Sequence, residues 1–194
     1  YQDDFSTSKT SKVQDQYENF SQIVLFHEYA HNFMFQSSAA RYPKWFVEGF
    51  AEFYSTIKFQ DDQTVIGMES VIRARRLSVY DLFSYEKMLR DDKSMHATPD
   101  MTDSFYAHAW LLSHYILSSP ERAKAFAVYL EAYARGEDPV AAFETAFGMK
   151  VKDLRPILDK YQTKLTATVF RLRDMPVPQV TTALMPISAN KLLL

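Results

Sequence analysis

The sequence contains two histidines four residues apart with a glutamate directly after the first, His27-Glu28-Tyr29-Ala30-His31. On an α-helix, residues four apart lie one turn apart on the same face, so both imidazoles can reach one metal ion. Glu28 then projects about 100° further round the helix, beside the position of a metal-bound water. This spacing predicts a hydrolytic zinc site with a carboxylate base. The alternative is a pair of hydrogen-bonded core histidines.

The residues around this motif follow the pattern of an amphipathic helix. One stripe combines the two histidines with apolar side chains and is expected to face the interior: Phe20, Ile23, Val24, His27, His31 and Met34. Polar residues, among them Gln22, Asn32 and Gln36, fall on the opposite side. The pattern therefore predicts a helix that turns both histidines inward.

A second cluster places two carboxylates four residues apart, Glu48 and Glu52, in the segment Trp45–Tyr54. On a helix they share a face, and inward carboxylates are very costly unless something compensates their charge. A zinc ion would do so, with Glu48 as third ligand of a His₂Glu set and Glu52 accepting the spare N–H of a ligating histidine. Gly49 would let this helix approach the histidine helix closely. The alternative is a solvated carboxylate pair on the surface.

Together, the two clusters resemble the gluzincin zinc metallopeptidases, most closely the bacterial peptidase-MA-like families. The resemblance rests on His27-Glu28-x-x-His31 followed by Trp45-x-x-Glu48-Gly49-x-Ala51-Glu52. It implies a zinc peptidase fold with His27, His31 and Glu48 as ligands, Glu28 as general base and a peptide or protein as substrate. It also favours an extracytoplasmic location. Val47 departs from the pattern, because family aminopeptidases carry Asn there, and no G-x-M-E-N sequence is present.

Peptide hydrolysis also needs a hydrogen-bond donor for the developing oxyanion. In the segment 103–110, Asp103 or Ser104 is expected to cap a new helix, which places Tyr106 and Trp110 on one face. Family members carry a similar Tyr with a Trp four residues on, so the resemblance makes Tyr106 the candidate donor. The alternative is a tyrosine at the edge of the core.

The other histidines and two arginines are expected to have structural or solvated positions, with a substrate role for His108 as the alternative. His108 falls on the other side of the Tyr106 helix and, like His114, is expected to be a surface or hydrogen-bonded structural histidine. His96 is expected to be solvated in a polar loop. Arg73 and Arg76 are expected to form the solvated edge of a short helix.

Composition narrows the function classes. The 194 residues are 47% hydrophobic and 15% aromatic, which is ample for one packed core. A net charge of -2 and a pI near 6.2 give no electrostatic footprint for nucleic acid. No stretch approaches eighteen consecutive apolar residues, so no transmembrane helix is expected. The absence of cysteine removes disulfides, thiolate ligands and cysteine nucleophiles.

We predict a mainly α fold with a small β-hairpin. Residues 1–17 form a flexible lead, residues 18–174 the zinc metallopeptidase domain, and residues 175–194 an extended tail or the start of a further element. The pattern predicts a hairpin over 57–68 and helices over 70–76, 81–90, 120–135, 139–147 and 154–172. Gluzincins usually have a sheet before the zinc helix and none is evident, so we expect a piece of a longer protein.

The function predicted from these patterns is zinc-dependent hydrolysis of peptide bonds through a metal-activated water. The alternative is a noncatalytic zinc-stabilised module that binds other proteins. Glu28 argues against that alternative, because a structural site needs no base. A structural site would also prefer a fourth protein ligand, and the sequence shows no obvious one. Hydrolysis of a nonpeptide amide or ester is a third interpretation, which the zinc ligands alone leave open. The sequence carries no signal for the oligomeric state.

Overall fold

The structure, a computed structural model, describes residues 7–38, 40–60, 63–68, 73, 76–77, 83–165 and 168–171. Their order confirms a mainly helical fold with a small antiparallel sheet. The elements are α1 Thr7–Ser37, α2 Lys44–Ser55, β1 Lys58–Gln60, β2 Gln63–Ile66, α3 Tyr85–Leu89, a 3₁₀ turn Lys93–His96, α4 Pro99–Leu117, α5 Pro120–Ala134, α6 Pro139–Phe147, a 3₁₀ turn Val151–Asp153, α7 Leu154–Gln162 and β3 Thr168–Arg171. None of the helices in the described part of the chain is both long and apolar enough to cross a membrane.

Helix α4 is the centre of the core and is buried on nearly all sides. It begins earlier than the predicted cap at Asp103 or Ser104: Thr98 is the cap, and its Oγ1 accepts a hydrogen bond of 3.2 Å from the Met101 N–H. Pro99 is tolerated in the first turn, where its missing N–H leaves no bond unmade. Both faces of this helix are covered, since α2, α5 and α7 pack around it.

Helix α2 crosses α4 at Gly49, where the two backbones come very close. A Cβ atom at Gly49 would lie 2.3 Å from the Ala109 carbonyl oxygen and 2.2 Å from Ser113 Oγ. The close approach that Gly49 allows is therefore with α4, and the prediction that it faces the histidine helix is wrong. Because α2 also packs against α1, it connects the histidine helix to the core.

Helix α1 begins at Thr7, so part of the predicted flexible lead is helical. Ala30 and Met34 are buried, but Phe20 is 54% and Val24 is 45% exposed. The expectation that the whole apolar stripe faces inward is wrong for these two residues. Helical periodicity fixes which residues share a stripe, but not how much of that stripe other elements cover.

The predicted hairpin is confirmed, with Lys58 paired to Val65 and Gln60 to Gln63. A third strand, β3, lies antiparallel to β2 on its other side. The predicted helix over 154–172 is wrong in its second half, because α7 ends at Gln162 and β3 begins at Thr168. Thr168 and Val169 are β-branched and favour a strand where pairing with β2 is available.

The other helix predictions agree with the structure where it describes them. Pro120 and Pro139 each lie in a first turn, capped by Ser119 and Asp138, and α6 ends at Gly148 in a left-handed conformation with φ 63°. The predicted helix over 81–90 is seen as Tyr85–Leu89. Of the predicted helix 70–76, residues 73 and 76 are helical, and the rest lies outside the described residues.

Candidate metal centre

Helices α1 and α2 bring the predicted ligands together. His27 and His31 lie one turn apart on α1, with 3.1 Å between their Nε2 atoms. Glu48, at the start of α2, places Oε2 at 3.5 Å from each of these nitrogens. All three side chains are partly buried, and their donor atoms converge on one point as a group able to hold a metal ion.

The spacing of these donor atoms fits zinc. A tetrahedral zinc ion with bonds of about 2.0–2.1 Å places its ligand atoms about 3.3 Å from one another. The observed separations of 3.1, 3.5 and 3.5 Å lie close to that value. Among the described residues the group consists of these three side chains and no fourth. A tetrahedral ion held here would therefore keep one position free.

Glu52 lies behind His27 and faces the other nitrogen of its ring. Its Oε1 is 3.4 Å from His27 Nδ1, and the residue is only 5% exposed. Arg73 approaches the same carboxylate with two nitrogens, Nη2 at 2.6 Å from Oε1 and Nε at 2.9 Å from Oε2. The Glu52 carboxylate therefore lies beside a histidine, as the sequence predicted, and Arg73 compensates its charge.

Neighbouring charges shift the pKa values of His27 and Glu52. Burial lowers the pKa of His27, but Glu48 and Glu52 outweigh it and raise that pKa to about 9. Burial raises the pKa of Glu52, but His27 and Arg73 outweigh it, so the pKa falls below its ordinary value. Without a metal, His27 and Glu52 therefore each favour the charged form of the other.

Glu28 and Tyr106 line one cleft beside His27. This cleft has a volume of about 370 Å³ and is lined by Phe20, Ile23, Val24, His27, Glu28, Glu52, Arg73, Asp103 and Tyr106. The Tyr106 ring centre is 6.3 Å from that of His27. Burial, and then the charges of Glu48 and Glu52, raise the pKa of Tyr106, so its hydroxyl stays protonated at neutral pH. The structure thus places both residues beside His27.

The other histidines lie apart from this cleft, and two of them, His108 and His114, are buried. His108 is 2% exposed, stacks on Phe83 and contacts the Tyr85 hydroxyl through Nδ1 at 2.8 Å. His114 is fully buried and contacts the Gly67 carbonyl oxygen at 3.0 Å through Nε2. Their interpretation as hydrogen-bonded structural residues is confirmed.

His96 was expected to be solvated, but it is only partly exposed. Its ring packs against that of Phe105, with the ring centres 4.5 Å apart. The 3₁₀ turn that precedes α4 carries His96 onto the core, because α4 begins at Pro99 and leaves no long loop.

Arg73 was expected on a solvated helix edge and is instead 18% exposed and clamped to Glu52. It lies twenty-one residues from Glu52, so no helical or strand spacing connects the two in the sequence. The sequence offered one hint of this arginine: two inward carboxylates need a compensating positive charge. The predicted zinc ion already supplied that charge, so no arginine was sought. Arg76 is 31% exposed and pairs with Asp100 and Asp103.

The model of one protein family, described as a protein of unknown function and designated DUF1570, matches residues 24–141. That match covers more than half of the chain and includes both metal-centre clusters together with Tyr106. No curated protein and no solved structure matches the chain.

Proposed function

Because the chain belongs to the DUF1570 family, whose function is unknown, we propose its activity from its own residues: zinc-dependent hydrolysis of peptide bonds. The observation that carries this proposal is the convergence of three donor atoms, from His27, His31 and Glu48, beside a cleft that Glu28 also lines. Structural zinc sites normally use four protein ligands, whereas catalytic sites use three and keep one position open. Three ligands with an adjacent carboxylate are what a hydrolytic site requires.

A zinc ion held by these residues would supply a Lewis acid and lower the pKa of a water at its open position. Glu28 is the proposed general base, which accepts the proton of the attacking water and passes it to the leaving amine. Its side chain is exposed and lines the cleft, so it reaches solvent and substrate alike. Glu52 keeps His27 oriented by accepting its Nδ1–H.

Tyr106 is the proposed donor to the oxyanion that forms when water attacks the carbonyl carbon. It stands on α4, a rigid buried helix, and its ring borders the cleft beside His27. A donor held in place before the reaction stabilises the developing charge without a cost of reorganisation. Apolar side chains of α1, Phe20, Ile23 and Val24, form the wall of the cleft that a substrate side chain would contact.

The second candidate is a noncatalytic zinc-stabilised module that binds other proteins. It is favoured by large apolar side chains exposed along α1, including Leu25, Tyr29 and Phe33. Next to them is an apolar cavity of about 240 Å³, to which α2 and β1 contribute Phe50 and Phe59. In this alternative the metal would hold α1 against α2, and the exposed face would recruit a partner.

Glu28→Gln separates the two candidates, because the amide keeps the shape of the side chain but cannot accept a proton. We expect the zinc-loaded protein to cleave members of a broad peptide library, and mass spectrometry identifies the products. Glu28→Gln should bind zinc as tightly and cleave at least about 10²-fold more slowly. Glu131→Gln, an exposed glutamate on α5, is the matched control and should match the wild type.

The other possible results would each change one part of this proposal. If Glu28→Gln keeps most of the activity, Glu28 is not the base. If the zinc-loaded wild type cleaves no peptide in the library, the binding module is the better description. Cleavage of ester or nonpeptide amide substrates alone would replace the peptidase by a related hydrolase.

A further inference from the structure

We propose that Arg73 is a positioning residue for the metal centre, acting on His27 through Glu52; this rests on the zinc function proposed above. Arg73 holds both carboxylate oxygens of Glu52, with Nη2 at 2.6 Å from Oε1 and Nε at 2.9 Å from Oε2. The same Oε1 lies 3.4 Å from His27 Nδ1. One oxygen is therefore shared between the arginine and the histidine.

Glu52 depends on this arginine because it is buried. With 5% of its surface exposed, its carboxylate has little access to water, and an unpaired buried carboxylate is very costly. A guanidinium that binds both oxygens fixes the plane of the carboxylate as well as its charge. Without Arg73, the carboxylate would turn towards solvent or away from the ring of His27.

The orientation of His27 follows from that of Glu52. A carboxylate that accepts the Nδ1–H of an imidazole fixes the tautomer, and so leaves the lone pair of Nε2 for a metal. The Nε2 atom of His27 is the one that faces His31 and Glu48. A carboxylate displaced from Nδ1 would leave both the tautomer and the ring angle of this ligand undefined.

His31 has no comparable support in the described part of the chain. Its Nδ1 is buried there without a hydrogen-bond partner, so the orientation of the histidine pair is fixed from one side. Arg73 itself is held by α4: its Cζ lies 5.1 Å from the centre of the Tyr106 ring, and its Nη1 is 3.9 Å from Asp103 Oδ1. A continuous series of contacts thus runs from α4 through Arg73 and Glu52 to His27.

The test compares Arg73→Met, which removes the guanidinium, with Arg73→Lys, which keeps the charge but not the fork. Arg76→Met is the matched control, because Arg76 pairs with Asp100 and Asp103. Zinc affinity is measured by competition with a chromophoric chelator, and cobalt(II) alone is used as a probe of ligand geometry by its visible absorption. Circular dichroism of each metal-free variant monitors folding.

We expect Arg73→Met to weaken zinc binding about 10- to 100-fold and to change the cobalt spectrum. Arg73→Lys should give a smaller loss, and Arg76→Met should stay within about threefold of the wild type. Because Arg73 acts through Glu52, its removal should add little in a Glu52→Gln background. Fully additive losses would show that it acts by another route.

Unchanged zinc affinity and an unchanged cobalt spectrum in Arg73→Met would overturn the positioning role while the zinc function stands. A wild-type protein that binds neither zinc nor cobalt would overturn both proposals together. If Arg73→Met fails to fold, Arg73→Lys decides, since a wild-type affinity and spectrum in that variant would contradict a role for the bidentate fork.

Discussion

Gly49→Ala should destabilise the protein, because a methyl group at this position has no room between α2 and α4. The new Cβ atom would lie 2.3 Å from the carbonyl oxygen of Ala109 and 2.7 Å from its carbonyl carbon. These are backbone atoms of a buried helix, so no side-chain rotation relieves the contact. The two helices must separate by about 1 Å before the atoms leave the repulsive range.

The size of the effect follows from two opposing contributions. Overpacking a filled core costs about 1–3 kcal/mol, and contact with the backbone favours the upper part of that range. Alanine recovers about 1 kcal/mol as the better helix former. We expect a net loss of about 2 kcal/mol in the free energy of unfolding. The shift of α2 also moves Glu48, so zinc binding should weaken.

Urea denaturation of the metal-free protein measures this loss, and zinc competition measures the second effect. Ser113→Ala is the control: Ser113 Oγ is the other atom near the new methyl group, and it is buried without a hydrogen-bond partner among the described residues. Because removing this hydroxyl breaks no hydrogen bond within the described part of the chain, that variant should stay within about 0.5 kcal/mol of the wild type. A Gly49→Ala protein as stable as the wild type would refute the close helix contact.

Two further predictions concern α4. Tyr106→Phe should lower kcat on the order of 10²-fold with zinc content unchanged. Tyr115→Phe, on the same helix, is the control and should have little effect. Equal rates in the wild type and Tyr106→Phe would contradict the oxyanion role. Burial, with Arg155 nearby, lowers the pKa of His108 from 6.5 to about 3, so its neutral form stabilises the fold fully above pH 6.5. This stability is lost as pH falls from 6.5 towards 3, by up to about 1.4 kcal/mol per pH unit. Urea denaturation of His108→Asn should show a free energy of unfolding that falls less steeply over the same pH range. An identical pH dependence in that variant would contradict the buried neutral state.

The candidate metal centre could be predicted where its geometry is local. Two histidines four residues apart on one helix must face the same side, and the structure gives them adjacent Nε2 atoms. Glu48 was found by a different argument, because two inward carboxylates on the next helix needed a compensating charge. Helical spacing and charge compensation thus identified His27, His31 and Glu48, which the structure brings together.

Features that depend on distant parts of the chain could not be predicted. Arg73 reaches Glu52 across twenty-one residues, and β3 pairs with β2 across about a hundred, so no local pattern marks either contact. Periodicity placed Phe20 and Val24 on the histidine stripe, but it carries no information about what covers that stripe. The partner of Gly49 was missed for the same reason, since a glycine permits close approach without specifying the approaching helix.

We propose that His27, His31 and Glu48 hold one catalytic zinc ion. Elemental analysis of the purified protein and of Glu48→Ala, each dialysed against the same zinc buffer, tests this proposal, with Glu131→Gln as control. We expect about one zinc per chain in the wild type and the control, and a sharp loss in Glu48→Ala. Full zinc content and unchanged affinity in Glu48→Ala, or a wild type without zinc, would contradict it.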